Sequence, residues 1–388
     1  MTPAPKTLFI ACGEPSGETY AVRAARAFRQ RFPHAPMEGI GSTRLAGEGV
    51  RLLLDYGSIS VVGLTEVVRH LPAVLRALRA AVRRATRPDV GAVLLVDFPD
   101  FNFRVGKKAN ASGVPVVYFV PPQLWAWRPG RAAELARFTK GVVVAFPFEE
   151  AFLKARGVAA RFAGHPLLDE LAPCLDASPD PARFGIPAGK TVVGLLPGSR
   201  HGEIRAHLPA MAAAARRIAA RFPDVHFAVP LAAPGFRGLV ASELGVGAGD
   251  AGFPVTIVER DRHLLFRGMA TALAASGTAT LELALLGVPP VIVYRTSAIT
   301  YWIGRRLAAV SSIGLPNILA GEPFLPELIQ DACRPDRMAG EIEALLADEA
   351  RRAALAARCV ALRDLLRGPG PAEAVVDMLA AAGGNAWA

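Results

Sequence analysis

Short apolar runs alternate with helix-like amphipathic stretches along the first part of the chain. Runs of this length that are apolar throughout are typical of strands buried on both faces of a parallel sheet. The alternation therefore predicts βαβ units. The apolar runs cover residues 7–11, 92–96, 114–120 and 141–145, and the helix-like stretches cover residues 20–31, 105–112 and 149–156.

The same rhythm begins again after a segment rich in proline and aspartate, residues 169–190, which we interpret as a linker. Further apolar runs occupy residues 191–196, 225–230, 255–258, 271–274 and 288–293. We therefore expect an α/β protein with two Rossmann-like domains whose parallel sheets face each other across a cleft. The expected boundaries are 1–172 for the N-terminal domain, 186–365 for the C-terminal domain, and 366–388 for a C-terminal segment that packs back on the N-terminal domain.

Hydrophobic residues make up 52% of the 388 residues, which excludes a disordered chain and requires a test for membrane-spanning segments. The most apolar window, residues 268–294, has one charged residue, Glu282, near its middle. Together with nearby Ser, Thr, Gly and Pro residues, this charge favours a strand, a helix and a second strand over a bilayer span. The N-terminus lacks a basic region before a long apolar core, so we predict no signal peptide and a cytoplasmic protein.

The formal charge of +10 favours polyanionic partners, namely nucleic acid, an anionic membrane or phosphorylated substrates. Residues 71–87 concentrate this charge in a predicted helix that is apolar on one side and rich in arginine on the other. Two interpretations stay open: an ordinary surface helix that packs on the sheet, or a helix that touches an anionic bilayer together with the loop at residues 60–64. The membrane-contacting residues would then be Val61, Val62, Leu64, Arg76, Arg79 and Arg83.

Two motifs of the N-terminal domain follow predicted strands, at the edge where open parallel sheets bind ligands. The segment ACGEPSGETY, residues 11–20, lacks the third glycine of a dinucleotide-binding fingerprint. It either contacts a ligand or forms a simple turn with Ser16 as the helix N-cap. In VDFPDFNFR, residues 96–104, Asp97 and Asp100 are candidates for a general base or for binding a hydroxyl group, and the alternative for Asp100 is a helix cap.

Aromatic and histidine side chains of the same domain offer further substrate contacts. In VPPQLWAWRPGR, residues 120–131, Trp125 and Trp127 would share one face of an extended segment and form a platform for a sugar ring or an acyl chain. The alternative is that they fill the core. His165 in FAGHPLLDE, residues 162–170, either binds substrate or has a structural role.

Two turns of the C-terminal domain carry groups that suit a diphosphate. The turn in LLPGSRHGEIR, residues 195–205, would direct backbone N–H groups and a guanidinium at an anion. The turn in ASGTATLELALLGVP, residues 275–289, adds donors at a predicted helix start and a glutamate placed to hold ribose hydroxyls. The groups are Gly198, Ser199 and Arg200 in the first turn, and Ser276, Gly277, Thr278 and Glu282 in the second. Together they predict a nucleotide diphosphate site.

In this order the segments resemble lipid-A-disaccharide synthase, a family of inverting glycosyltransferases of the GT-B class. The resemblance spans nearly the whole chain. Its motifs are GEPSGE from residue 13, VVGLTEVVRHLP from 61, DFPDFNFR from 97, LWAWRPGR from 124, PFEEAF from 147, GHPLLDE from 164, LLPGSRHGEI from 195, ASGTATLE from 275, YR from 294 and LPNILAG from 315.

The resemblance implies a reaction, partners and a location. The family transfers 2,3-diacylglucosamine from UDP-2,3-diacylglucosamine to 2,3-diacylglucosamine 1-phosphate (lipid X), and releases UDP with a β(1→6) disaccharide. It works on the cytoplasmic face of the inner membrane. The class normally needs no metal, and the chain has no D-x-D motif and no C-x-x-C spacing. We therefore expect no metal or other cofactor and no nucleic acid partner, an anionic membrane surface as a partner, and a chain that can form a homodimer.

The resemblance also assigns roles to residues. Asp97 would take the proton from the acceptor 6-hydroxyl, and Arg200 would stabilise the departing UDP. The remaining assignments are Ser199, Ser276, Gly277, Thr278, Glu282 and Asn317 in the UDP pocket, and Glu14, Ser16, Trp125 and His165 near the acceptor or the transferred sugar. The identity of the base stays open among Asp97, Asp100, Glu14 and His165.

The chain departs from the family pattern at two places. It has Gly17-Glu18 where the family has S-G-D, and residues 119–122 read FVPP where the family has Y-V-S-P. We assign Glu18 no catalytic role. An alternative function is another GT-B enzyme or a UDP-sugar epimerase that acts on UDP-N-acetylglucosamine. A third possible function is a protein that binds nucleotides, lipids or nucleic acid without catalysis. It is disfavoured because the usual RNA-binding signatures are missing.

Overall fold

The computed structural model describes residues 4–58, 64–127, 129–246, 251–296 and 312–387. The chain divides into two compact units, each with its own parallel sheet. Unit 1 consists of Met1–Pro166 together with Leu366–Ala388, and unit 2 consists of Leu167–Leu365. Within the described ranges, no helix is both long enough and apolar enough to cross a bilayer.

Unit 1 is built on a seven-stranded parallel sheet with the order β3-β2-β1-β4-β5-β6-β7. Its two central strands are buried along their whole length because they consist almost entirely of apolar and small residues. The strands are β1 (Thr7–Ala11), β2 (Met37–Gly41), β3 (Arg51–Asp55), β4 (Val90–Val96), β5 (Val116–Phe119), β6 (Gly141–Val144) and β7 (Ala160–Phe162).

The helices of unit 1 cover both faces of this sheet. Successive side chains of a strand point to opposite faces, so Leu8 and Ile10 pack in one core cluster whereas Phe9 packs in another. The helices are α1 (Pro15–Arg31), α2 (Thr43–Gly47), α3 (Leu64–Ala85), α4 (Pro99–Ala111), α5 (Leu124–Trp127), α6 (Ala132–Phe138) and α7 (Pro147–Lys154). Helix α8 (Pro166–Leu175) leads from unit 1 into unit 2.

Unit 2 has a six-stranded parallel sheet with the order β10-β9-β8-β11-β12-β13. Its strands are β8 (Thr191–Leu196), β9 (Val225–Pro230), β10 (Val255–Val258), β11 (Met269–Ala275), β12 (Pro290–Tyr294) and β13 (Glu327–Ile329). Its described helices are α9 (His201–Arg221), α10 (Arg237–Leu244), α11 (Arg262–Arg267), α12 (Thr278–Leu285), α13 (Leu315–Ala320), α14 (Pro335–Ala347) and α15 (Glu349–Leu366).

The last helix, α16 (Pro371–Gly383), packs on the sheet of unit 1. Its apolar side buries Val375 and Leu379 completely in the core that also holds α1. Just after the helix, the Trp387 ring lies edge-on to Phe28, with ring centroids 5.0 Å apart. The C-terminal residues are therefore part of the unit 1 core.

Each sheet reverses its strand order next to its first strand. The reversal lies between β1 and β4 in unit 1 and between β8 and β11 in unit 2. Helices leave these neighbouring strands toward opposite faces, which opens a crevice at the carboxyl ends of the strands. The segments that follow these four strands begin at Cys12, Asp97, Pro197 and Ser276.

The structure confirms the α/β class and several strand bounds, and it corrects two local predictions. Strands β1, β8, β9 and β10 have the predicted limits, and the apolar window 268–294 forms β11, α12 and β12. The predicted linker is partly helical, because α8 reaches Leu175 and a 3-10 turn covers Pro181–Phe184. The tryptophan segment is not extended: residues 124–127 form α5, so Trp125 and Trp127 do not alternate on one face of a strand.

Candidate active site

Asp97 stands at the carboxyl end of β4 in an unusual backbone conformation. Asp97 and Phe98 both have positive φ angles, 48° and 52°, which non-glycine residues rarely adopt. The carbonyl oxygen of Asp97 accepts hydrogen bonds from Asn102 Nδ2 at 2.8 Å and from the Tyr118 hydroxyl at 2.7 Å. Asn102 is fully buried and also donates to Ala11 O and Val96 O. These bonds hold the strained turn and so position the Asp97 carboxyl.

Burial and a like charge act together on the Asp97 carboxyl. Loss of solvation, followed by repulsion from the Glu14 carboxylate, raises the pKa of Asp97 to about 6. The start of α1 packs closely against Asp97 because residue 17 is a glycine. A Cβ at Gly17 would lie 3.0 Å from Asp97 Cβ. A carboxyl whose pKa lies near neutrality is suited to accept a proton from a hydroxyl group.

Glu14 occupies the N-cap position of the helix that starts beside this carboxyl, and its side chain makes no capping hydrogen bond. It is the N-cap of α1, with Pro15 at the first helical position, so Ser16 is not the cap. The Ser16 side chain lies outside the described residues. Glu18 has a structural role, because its buried carboxylate accepts hydrogen bonds from the Ser42 backbone and hydroxyl and from the Tyr56 hydroxyl.

Trp125 is held inside unit 1 rather than presented as an open platform. Its side chain is nearly buried, and its indole N–H donates to Glu149 Oε1 at 2.8 Å. Glu149 also accepts from the backbone N–H groups of Ala145 and Phe146, and burial raises its pKa to about 7. The Trp125 ring packs edge-on to Phe148. These contacts favour the core-filling interpretation for Trp125, and the Trp127 side chain lies outside the described residues.

His165 is also buried, and it lies where the chain returns to unit 1. Its ring packs against Phe146 and Tyr20, and burial lowers its pKa to about 4. Its backbone N–H donates to Leu366 O at 2.9 Å. The imidazole is therefore neutral at physiological pH, which removes a charge that could attract a phosphate.

The turn after β8 in unit 2 presents a guanidinium to solvent. Arg200, the N-cap of α9, leaves 67% of its side chain exposed and touches Glu203 at 3.5 Å. Gly198 has a φ of +123°, and a Cβ there would overlap Glu203. The Ser199 N–H donates to Glu203 Oε2 at 2.8 Å. A phosphate oxygen that binds this N–H therefore has to share it with Glu203 or displace that carboxylate.

The turn after β11 lies beside it on the same sheet edge, because β8 and β11 are neighbours. Gly277 and Thr278 are exposed at the N-terminal end of α12, where unpaired backbone N–H groups favour an anion. The Ser276 hydroxyl is directed elsewhere and donates to Ile313 O at 2.8 Å. The two predicted donor turns are thus brought together at one switch point.

Glu282 is a buried carboxylate behind this second turn. Its Oε1 accepts from Arg262 Nη2 at 3.0 Å, and its Oε2 lies 3.2 Å from His263 Nε2. Carboxylate oxygens have further lone pairs, so Glu282 keeps the capacity to accept from ribose hydroxyls. Arg262 and His263 fix the orientation of this carboxylate.

Asn317 makes its hydrogen bonds with the loop before β13 and with Glu327. Its Nδ2 donates to Leu325 O and Glu327 Oε1, and its Oδ1 accepts from the backbone N–H groups of Phe324 and Leu325. These four bonds use both amide hydrogens and both carbonyl lone pairs. Asn317 thus organises the loop before β13, and a direct bond to UDP would break one of these contacts.

The arginines of α3 line a groove against α4 in unit 1. Leu78 and Val82 form its apolar floor, and the cavity has a volume of about 460 Å³. Its cationic lining residues are Arg79, Arg83, Arg104, Lys107 and Lys108. Arg76 is exposed on the same helix. Val61 and Val62 lie outside the described residues, as does the side chain of Leu64.

Several residues that organise the site were not predicted from the sequence. Asn102, Tyr118, Arg262 and His263 each act on a neighbour that is distant or unremarkable along the chain. Asn102 offers one signal, since it is a polar residue between two phenylalanines. Among the described side chains, no group of three His, Cys, Asp or Glu residues is arranged to hold a metal ion.

Comparison with known sequences assigns the family. The sequence model described as lipid-A-disaccharide synthetase matches residues 8–368. The chain belongs to the lipid-A-disaccharide synthase family. It is 39% identical to the lipid-A-disaccharide synthase of Alkalilimnicola ehrlichii over 97% of this chain and 98% of that one. It is 38% identical to the enzyme of the same name from Myxococcus xanthus, over 98% and 99% of the two chains.

Solved structures share the fold at low sequence identity. The UDP-GlcNAc 2-epimerase of Neisseria meningitidis, bound to UDP-GlcNAc, aligns with a TM-score of 0.63 at 13% identity, over 96% of this chain and 99% of that one. MurG of Acinetobacter baumannii aligns with a TM-score of 0.57 at 16% identity, over 97% and 99%. The family confirms the resemblance drawn from the motifs and makes the chain a glycosyltransferase, whereas the roles of single residues stay predictions.

Proposed function

We propose that the protein transfers 2,3-diacylglucosamine from UDP-2,3-diacylglucosamine to lipid X, forming the β(1→6) lipid A disaccharide 1-phosphate and UDP. The family assignment supports this reaction. The single observation that best supports it within the structure is the Asp97 carboxyl, whose pKa near 6 suits it to accept a hydroxyl proton.

Unit 2 binds the donor in this proposal. The diphosphate lies at the β8–β11 switch point, where Arg200 and the backbone N–H groups of Ser199, Gly277 and Thr278 surround it. Glu282 accepts hydrogen bonds from the ribose hydroxyls. Asn317 and Ser276 shape the pocket through their internal hydrogen bonds with the neighbouring loop.

In the proposed reaction, Asp97 acts on the attacking hydroxyl group and Arg200 acts on the leaving UDP. The acceptor 6-hydroxyl oxygen attacks the anomeric carbon from the face opposite UDP, and its proton passes to Asp97. As the bond between the anomeric carbon and the diphosphate oxygen breaks, its electron pair stays on UDP. Arg200 stabilises that negative charge, which is greater in the transition state than in the bound donor. The attack inverts the configuration at the anomeric carbon.

The acceptor and the transferred sugar meet the unit 1 edge. Glu14 and Ser16 at the start of α1 are the proposed hydroxyl-binding groups. Trp125 and His165 support the shape of this part of the site from the core of unit 1, since both are held there by the contacts described above. This places the polar end of the acceptor beside Asp97 in the proposal.

The α3–α4 groove and Arg76 would bind the anionic surface of the inner membrane at its cytoplasmic face, where both lipids reside. Charge pairing supports this choice. On α1, Arg26 and Arg31 pair with Glu48 and Asp377, each at 2.6 Å. Among the described residues, Arg79, Arg83, Arg104 and Lys108 of the groove have no such carboxylate partner. Each unpaired basic residue near an anionic surface contributes about 1 kcal/mol to the binding free energy.

We also propose that the chain forms a homodimer, which light scattering can test.

The test is release of UDP and formation of the disaccharide from UDP-2,3-diacylglucosamine and lipid X. We expect product with this pair and none with UDP-N-acetylglucosamine as donor, because the acyl chains supply binding energy that the reaction uses. Turnover of UDP-N-acetylglucosamine without acyl chains, by transfer or by epimerisation, would contradict the proposal and support the alternative function.

A further inference from the structure

His207 links two parts of the unit 2 sheet edge that are not neighbours in the sheet. The residue lies on α9 and its side chain is 0% exposed. Its Nδ1 lies 2.9 Å from the carbonyl oxygen of Pro197, and its Nε2 lies 2.9 Å from the backbone nitrogen of Arg295. One imidazole therefore joins the turn after β8 to the residue that follows β12.

The two partners determine the tautomer of the ring. The Pro197 carbonyl can only accept a hydrogen bond, and the Arg295 N–H can only donate one. The neutral ring therefore carries its proton on Nδ1 and accepts at Nε2. A proton at Nε2 would face the Arg295 N–H and break the second bond. Because the bond to Pro197 is buried, its loss leaves that carbonyl without a partner and without water.

Sheet pairing alone does not connect these two segments. Strand β11 lies between β8 and β12, so no ladder of hydrogen bonds joins the turn at 197–200 to the end of β12. Within the turn, the Ser199 N–H bonds Glu203 of α9, and this contact does not reach β12 either. Beyond Arg295 the link continues, because Thr296 exchanges hydrogen bonds with the Gln330 side chain at 2.8 and 3.1 Å.

We propose that His207 is a positioning residue of the donor site, which holds the turn carrying Ser199 and Arg200 against the end of β12. The proposal rests on the proposed function, since it requires this turn to bind the UDP diphosphate. His207 touches no substrate. It holds in place the groups that do touch substrate, so that binding of UDP does not lose free energy in ordering them.

Two substitutions separate the two contacts. In His207→Asn the amide nitrogen stands near the Nδ1 position and can donate to Pro197, whereas the bond to Arg295 is lost. In His207→Gln the amide oxygen stands near the Nε2 position and can accept from Arg295, whereas the bond to Pro197 is lost. His226 provides the matched control, because it is a second buried histidine of unit 2 whose Nε2 bonds the Thr256 hydroxyl at 2.9 Å.

The experiment measures the Kd of UDP by calorimetry and the kinetic constants of transfer, using the full chain. We expect each His207 variant to weaken UDP binding about tenfold, equal to about 1.4 kcal/mol. The donor KM should rise by the same factor while the acceptor KM stays within twofold. His226→Gln should lower the melting temperature and leave the UDP Kd within twofold.

Unchanged UDP binding in folded His207 variants would overturn the proposal, and so would an equal loss in His226→Gln. Nitrogen NMR of the native protein tests it without any variant. It should show a proton on Nδ1 of His207 and a shift of that signal when UDP is added, and a ring protonated at Nε2 would also overturn it. If the native protein fails to bind UDP at all, the proposed function fails instead.

Discussion

The two sheet edges have the same topology and opposite chemistry. In unit 1 the segments at the β1–β4 switch point bring two carboxylates together, Glu14 and Asp97. In unit 2 the segments at the β8–β11 switch point present the Arg200 guanidinium and the exposed start of α12. Strand order thus determines where a ligand can bind, and the loop residues determine which chemistry takes place there.

The same contrast separates Asp97 from Glu282. The negative charge near Asp97 comes from Glu14, so its pKa rises and it can hold a proton near neutral pH. Glu282 in unit 2 contacts Arg262 and His263 instead. One acid is therefore suited to proton transfer and the other to hydrogen bonding as a carboxylate. Five predictions test this difference.

The largest effect should follow Asp97→Asn, which removes the proton acceptor. We expect transfer to fall about 10³-fold, within the usual range for a general base, while the Kd of UDP stays within twofold. Its control is Asp100→Asn, because Asp100 is exposed and pairs with Arg131. Full activity of Asp97→Asn, or an equal loss in Asp100→Asn, would remove the role assigned to Asp97.

The same variant should be more stable than the native protein at pH 7. An unfolded chain loses the Asp proton near pH 4, whereas the folded protein keeps it up to about pH 6, so the free energy of unfolding falls as pH rises through this window. Asparagine avoids that cost, and we expect a gain of about 1–3 kcal/mol in urea denaturation at pH 7. The gain should vanish at pH 4.

Arg200→Ala should reduce transfer about 10²- to 10³-fold, because the charge that forms on UDP loses its guanidinium partner. Arg200→Lys should recover only part of this loss, since an ammonium cannot form two parallel hydrogen bonds to a phosphate. Arg205 provides the control because it is exposed on the same helix. Equal effects of Arg205→Ala and Arg200→Ala on the UDP Kd would contradict a specific role for Arg200.

The native enzyme should lose activity in acid through protonation of Asp97. Because its pKa is raised to about 6, kcat/KM should decline below that pH and be about tenfold lower one pH unit beneath it. A pH series in a constant-ionic-strength buffer measures the decline. A profile that is flat from pH 7 to pH 5 would rule out a base with this pKa.

The smallest effect should follow Arg262→Ala, which removes one of the groups that hold Glu282. We expect the donor KM to rise about fivefold and kcat to stay within twofold, because the contact affects binding of the ribose rather than the reacting bond. Arg260→Ala is the control, since Arg260 is an exposed neighbour. A change in kcat alone would show that Glu282 acts elsewhere.

Mostly apolar strands can be predicted from the sequence, and strands that include a charged residue cannot. The sequence predicts the limits of β1 and β8 to the residue, because their runs are apolar and bounded by polar turns. β2 reads MEGIG and gave no such signal. Its Gly39 is needed because a Cβ there would overlap the Ile10 backbone, and Glu38 is neutralised by Arg51 and Arg84. Contacts of this kind with other segments leave no periodic pattern in the sequence.

The sequence predicts which residue types stand at the strand ends, and it does not predict their hydrogen-bond partners. Asp97 and Arg200 stand at the switch points because chain order places strand ends there. By contrast, the bonds that hold Trp125 on Glu149 and join His207 to Arg295 depend on packing between distant segments. The bonds of Asn317 depend on how the loop before β13 folds back. A lone asparagine or histidine in a sequence does not reveal whether its hydrogen bonds point inward or to a ligand.

The most direct test of the contrast between the two edges is a parallel measurement of UDP affinity and transfer rate in Asp97→Asn and Arg200→Ala. The account predicts that Asp97→Asn binds UDP as the native protein does and transfers about 10³-fold more slowly. It predicts that Arg200→Ala loses both affinity and rate. Weakened UDP binding in Asp97→Asn, together with unchanged binding in Arg200→Ala, would contradict it.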